Sequence, residues 1–180
     1  MTMRAFIIHG WNSGPDAAWK PWLKKKLEEQ GFDAYAPRMP TPLRPECSEW
    51  VQKIEETVGT PDGDCFFIGH SLGCAAILRY LEKINTMVGG AVLAAGPSNG
   101  MNFPFIKSFF RKGFDWKKIK SSCRKFVIIH SENDRIVPIK HAYVLKQALD
   151  AELIVDRRGH FMKLDEFETL LDAVKRISTY

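Results

Sequence analysis

Gly69-His70-Ser71-Leu72-Gly73 is the stretch of this chain whose residue types and spacing carry chemistry. It follows the apolar run Cys65 to Ile68 and opens a segment, Leu72 to Ile84, that is apolar on most sides. A G-x-S-x-G between a strand and a helix sets its serine on a tight, strained turn, and the flanking glycines leave room for that turn. The hydroxyl then stands exposed at the carboxyl edge of a sheet. It also sits at a helix N-terminus, whose free N–H groups favour developing negative charge. The alternative for the same residues is an ordinary strand–helix turn with a glycine pair.

A serine hydroxyl is a weak nucleophile at neutral pH and needs a base. Of five histidines, His9 and His130 end apolar runs, His70 lies inside the motif and His141 falls in a helical segment. His160 sits on the loop Arg157-Arg158-Gly159-His160-Phe161 after the last predicted strand. A nucleophile on this kind of turn is followed in the chain by an acid and then by the histidine, and His160 meets that order. The acid is expected on the preceding loop, Ser131-Glu132-Asn133-Asp134-Arg135-Ile136-Val137-Pro138. Asp134 is chosen over Glu132, which lies close to the strand end and has less reach. A turn or helix-cap aspartate is the competing role for Asp134. Donors for an oxyanion are expected from the backbone N–H of Leu72 and from the loop His9-Gly10-Trp11-Asn12-Ser13-Gly14. Trp11 is assigned the second donor, with Asn12 as the fallback.

These residues need a scaffold that brings distant loops to one edge. Short β-rich runs recur at Ala5–His9, Ala34–Ala36, Cys65–Ile68, Ala91–Ala95, Phe126–His130 and Glu152–Val155. Most are apolar throughout, which suits strands covered on both faces. Helical periods separate them. Trp19, Trp22, Leu23 and Leu27 form one apolar face, closed by Gly31, and Cys47, Trp50, Val51, Ile54 and Val58 form another. Pro138 opens a helix expected to turn Val144, Leu145, Ala148 and Leu149 inward. Leu164, Phe167, Leu171, Val174 and Ile177 mark the last. Strand–helix alternation predicts an α/β domain with six parallel strands in the order 2-1-3-4-5-6 and helices on both faces. An irregular insert runs from Gly96 to Arg124, with Phe103, Phe105, Ile106, Phe109, Phe110 and Trp116 among many basic residues. Such an excursion is functional or mobile, and its phenylalanines either receive an apolar acyl group or belong to the core.

The 180 residues predict one domain spanning 1–180, since a domain averages roughly 150 residues. The 45% hydrophobic and 26% charged composition excludes disorder, collagen and coiled coil. No apolar run approaches the roughly 20 residues that span a bilayer. The N-terminal apolar run is too short for a signal peptide, so a cytoplasmic protein is expected. The four cysteines contain no C-x-x-C pair and are read as reduced thiols, with no zinc site and no disulfide framework. The net charge of +5 reflects lysines at 24–26 and between 107 and 120. Acidic residues interleave with them, so solvated helix faces are expected rather than a patch for nucleic acid or anionic lipid.

With these pieces in place, the sequence resembles the α/β-hydrolases, and among them the small serine hydrolases of the retinoblastoma-binding-protein-9/YdeN type. The matching stretches are IHGWNSGPDAAWKPWL, GHSLG, FDWKKIKSSCRKFVIIHSENDRIVP and RRGHF. The resemblance implies a compact α/β-hydrolase fold with a minimal cap and the catalytic triad Ser71, Asp134 and His160. Two departures stand out. Arg158 precedes Gly159 where relatives often carry a glycine pair, and Pro45-Glu46-Cys47-Ser48-Glu49 lacks the leucine of a Leu-x-Cys-x-Glu pocket-protein motif. Binding to the retinoblastoma protein is therefore not carried over. The expected activity is hydrolysis of a carboxylic ester, thioester or amide through an acyl-enzyme on Ser71, with a small-molecule acyl substrate and no cofactor or metal. The rival expectations are acyl transfer to another acceptor and a non-catalytic interaction module on the same fold.

Overall fold

The computed structural model describes residues 2–101 and 103–179. Six strands run β1 (Arg4–Ile8), β2 (Asp33–Tyr35), β3 (Cys65–His70), β4 (Gly90–Ala94), β5 (Phe126–Ser131) and β6 (Glu152–Asp156). They pair as one parallel sheet in the order β2-β1-β3-β4-β5-β6, which is the predicted order. The helices are α1 (Lys20–Glu28), α2 (Cys47–Val58), α3 (Leu72–Lys83), α4 (Trp116–Ser121), α5 (Lys140–Leu149) and α6 (Glu168–Ser178).

Strand side chains alternate between faces, and both faces are covered, which explains the uninterrupted apolar runs. Phe6, Ile8, Phe67, Leu93 and Ile128 join the cluster under α2, α3 and α5. Their neighbours Ile7, Ile68, Val92 and Ile129 join the cluster under α1 and α6. α2 buries Trp50, Val51, Ile54 and Val58 at helical spacing and stops at Gly59, whose φ of +65° suits a residue without a side chain. On α5 the inward face is His141, Ala142, Leu145 and Leu149, while Val144 is exposed, so the prediction for Val144 fails. The helix starts at Lys140, two residues after Pro138, and its buried residues recur at 141, 142, 145 and 149, which leaves Val144 on the outer face. Leu164 and Phe167 precede α6 rather than belonging to it, although Phe167 is fully buried.

The insert between β4 and β5 is more ordered than its sequence suggests. It contains a 3-10 segment, Pro104–Phe110, and α4. Buried Arg79 of α3 pins it: its guanidinium donates to the carbonyls of Phe109, Lys112 and Gly113, pairs with Glu82 and lies over the Phe114 ring. Phe109 is fully buried and packs edge-on against Trp50 at 5.6 Å. Among the described residues no helix is long and apolar enough to cross a membrane.

Candidate active site

The carboxyl ends of β1, β3, β5 and β6 all open on one edge of the sheet. Ser71 leaves β3 with φ +54° and ψ −121°, outside the regions favoured by residues with side chains, so the expected strain at the turn is present. Its N–H donates to the Ala94 carbonyl at 2.9 Å, which ties the turn to β4. The glycines leave room for more than the turn itself. A side chain on Gly73 would meet the Ile8 carbonyl oxygen at 2.2 Å, and one on Gly69 would meet the Cys74 backbone at 2.8 Å. They let α3 start against β1 and fold back over β3. Gly10 adds a third close approach, since a Cβ there would lie 2.9 Å from Ser71 Cβ.

Ser71, His160 and Asp134 form one hydrogen-bonded line. Ser71 Oγ lies 2.9 Å from His160 Nε2, and His160 Nδ1 lies 2.7 Å from Asp134 Oδ2. The other Asp134 oxygen accepts the N–H groups of Ile136 at 2.8 Å and Val137 at 2.9 Å. Burial opposes the Asp134 charge, and the bond and charge of His160 together with those two N–H groups outweigh it, holding the carboxyl below its ordinary value. An ionised carboxylate only accepts, so Nδ1 of His160 carries the proton and Nε2 presents a lone pair to the serine hydroxyl. Glu132 is exposed and paired with Arg157 at 2.5 Å, away from this line.

The other four histidines are committed elsewhere. His9 Nε2 accepts the Met39 N–H and its Nδ1–H donates to the Gly10 carbonyl. His70 Nε2–H donates to the backbone carbonyl of His160 at 2.8 Å. His130 Nε2–H donates to the Val137 carbonyl, closing the Asp134 loop, and His141 Nδ1 accepts the Ser98 N–H. Burial drives all four below the ordinary histidine pKa, His70 to about 3, so they stay neutral.

Sequence reasoning missed the residues that lace the acid and histidine loops together. Asn133 accepts the Gly159 N–H and donates to the Arg157 carbonyl, while Ser131 Oγ accepts the Arg158 N–H. A polar pair beside a predicted catalytic aspartate is the only signal the chain offers for them. The Asn133 bond also seats Gly159 at φ +63°, so the single glycine suffices and Arg158 is free to pair with Asp156.

Above Ser71 opens an apolar cleft of about 290 Å³ lined by Trp11, Leu72, Phe105, Ile136, His160 and Met162, among others. Trp11 and Phe105 stack at 5.6 Å across it. Among the described residues, the backbone N–H groups of Trp11 and Leu72 enter no turn, loop or cap hydrogen bond, whereas the N–H of Asn12 is taken by the Pro42 carbonyl. That removes the backbone N–H of the fallback residue as a donor. Phe109 and Phe110 do not line the cleft: the first is core and the second packs on Phe114. The cleft takes Met101, Phe103, Phe105 and Ile106 from the insert instead. A larger hollow of about 370 Å³ lies at the opposite edge of the sheet, among Lys120, Arg124, Asp150, Glu152 and Arg176, and no serine, histidine or cysteine nucleophile stands with a base there.

Comparison with known proteins identifies the family and the fold. A family model described as serine hydrolase matches residues 5–177. The chain is 34% identical to the hydrolase YdeN of Bacillus subtilis (strain 168), over 94% of this chain and 92% of that one. It is 32% identical to the serine hydrolase RBBP9 of Rattus norvegicus, over 98% and 96%. The crystal structure of the ydeN gene product from B. subtilis superposes with a TM-score of 0.94 at 31% identity, covering 98% of both chains. Est1E from Butyrivibrio proteoclasticus, 13% identical over 97% of this chain and 86% of that one, shares the fold with a TM-score of 0.71.

Proposed function

The chain belongs to the serine hydrolase family, and from that premise we propose that it hydrolyses a carboxylic ester, thioester or amide through an acyl-enzyme on Ser71. The hydrogen-bonded line from Ser71 through His160 to Asp134, buried beneath an apolar cleft, is the observation that carries this reading. Ser71 Oγ attacks the acyl carbonyl carbon while His160 Nε2 takes its proton. The C–O⁻ that forms is held by the N–H groups of Trp11 and Leu72, each worth about 3 kcal/mol of barrier. His160 returns the proton to the leaving group as the acyl bond breaks. It then takes a proton from the water that attacks the acyl carbon and hands it to Ser71 Oγ as the acyl–serine bond breaks and the acid leaves. Asp134 keeps the imidazole in the required tautomer and stabilises the imidazolium. Residues 1–180 act as one catalytic domain in this reading.

The test is labelling by a fluorophosphonate probe. Rapid labelling of the wild-type protein and none of Ser71→Ala is expected, since only an activated serine reacts. A protein that stays unlabelled is an interaction module and not a hydrolase. Product analysis in the presence of added alcohol separates hydrolysis from acyl transfer.

A further inference from the structure

The hydrolase reading accounts for the floor of the cleft and leaves its rim unexplained. Large apolar side chains are normally covered, and clustered exposure marks an interaction site. Around this one opening Trp11 is 41% exposed, Phe103 43%, Phe105 52%, Ile136 39% and Met162 55%. Leu43, 60% exposed, joins them through the Trp11 indole N–H, which donates to the Leu43 carbonyl at 3.1 Å. They stand on five separate loops rather than on one packed face.

The expectation of solvated helix faces holds for the lysines of α1 but not for the rim, where a cation accompanies most of these loops. Arg44 follows Leu43, Lys107 lies two residues after Phe105, Arg135 precedes Ile136 and Lys163 follows Met162. All four are exposed, and none forms an ion pair among the described residues. The lysines of α1 differ, for Lys24, Lys25 and Lys26 pair with Glu28 and Glu29. Glu132 near the rim is neutralised by Arg157, and Asp165 and Glu166 beyond Lys163 subtract from the positive field.

We propose that this rim docks on the surface of an anionic phospholipid bilayer and that the cleft draws its apolar ester from that surface. Charge complementarity selects the occupant: unpaired cations beside single apolar side chains on loop tips suit a fluid interface with negative headgroups. Aromatic rings such as Trp11 and Phe105 settle at headgroup level. Each such cation contributes roughly a fivefold factor in partitioning onto an anionic leaflet. The docking deepens the hydrolase reading, because it supplies the substrate to that same site.

The experiment is co-sedimentation of full-length Ser71→Ala protein with vesicles, which reads binding without turnover. Vesicles carrying roughly 30% phosphatidylglycerol bind the protein at about 50 mM salt and release it at about 500 mM, where charges are screened, and pure phosphatidylcholine binds far less. Combining Arg44→Gln, Lys107→Gln and Lys163→Gln lowers partitioning about a hundredfold. With Ser71 restored, the triple variant still hydrolyses a soluble short-chain ester at the wild-type rate. Leu43→Ser weakens binding as well. The proposal is overturned if anionic vesicles leave the protein in solution or if the triple variant binds like its parent. It is also overturned if sedimentation shows a dimer that Leu43→Ser dissolves, which would give the rim to a second copy. Vesicle binding by a wild-type protein without esterase activity would sink the hydrolase reading and leave the docking standing.

Discussion

Ser71, His160 and Asp134 at the floor of the cleft are each held by further hydrogen bonds. The Ser71 N–H reaches β4, the His160 carbonyl takes the His70 ring, and Asp134 takes two N–H groups of its own loop. At the rim, Trp11, Phe105 and Met162 are about half exposed, and the first two stack on each other. Reactive groups must be held within a fraction of an ångström, and the floor achieves this by over-determining each one. Apolar recognition needs area rather than angles, so loosely held side chains serve it.

Ser71→Ala breaks the floor most directly. Ester hydrolysis is expected to fall by about 10⁶ in kcat with the melting temperature unchanged, measured by steady-state kinetics and calorimetry. Asp134→Asn comes next, at about 10⁴ in kcat, because the amide favours the wrong imidazole tautomer. Glu132→Gln, which loses only an exposed ion pair, should stay within a few-fold of wild type.

Phe109→Ala and Phe105→Ala set core against rim inside one segment. Truncating Phe109 should cost roughly 3–5 kcal/mol of stability by chemical denaturation and leave acyl-chain preference alone. Truncating Phe105 should barely move stability and lower kcat/KM for longer acyl esters relative to acetate by roughly 1–3 kcal/mol. Reversed outcomes would place Phe109 in the cleft.

Acid should separate the regions as well. His9, His70, His130 and His141 stay neutral in the fold, whereas the unfolded chain protonates its histidines near their ordinary pKa of about 6.5. Below that pH the unfolded state binds more protons, so stability is full above it and drains as pH falls. For His70 the loss continues towards about 3, at roughly 1.4 kcal/mol per pH unit. Asp134 adds to it only as pH falls through its own lowered value. Urea midpoints at neutral and acid pH should show this slope, reduced in His70→Gln and unaltered in Phe105→Ala.

The order of the strands and the line Ser71–His160–Asp134 were legible because they rest on short-range signals: apolar runs of strand length, a glycine-flanked serine, and polar loops at strand ends. The strand limits shift by one or two residues. The insert was not legible. Phe105 and Phe109 carry the same side chain, and the contacts that hold Phe109 in the core, Arg79 on its carbonyl and Trp50 on its ring, are distant in the chain. Val144 failed because the buried stripe runs through His141, Leu145 and Leu149, and a histidine does not read as part of an apolar face. The Asn133 lacing joins two loops that sequence spacing alone does not bring together.

β6 is the last strand and lies at the edge of the sheet, with Glu152 and Val155 exposed and its other residues only partly covered. The loop that follows it carries His160. Edge strands open at lower free energy than central ones, so local opening there withdraws the base while β1, β3 and β4 remain paired. Cross-linking or better covering β6 is therefore expected to raise the temperature of inactivation, measured as residual activity after heating, without strengthening the core.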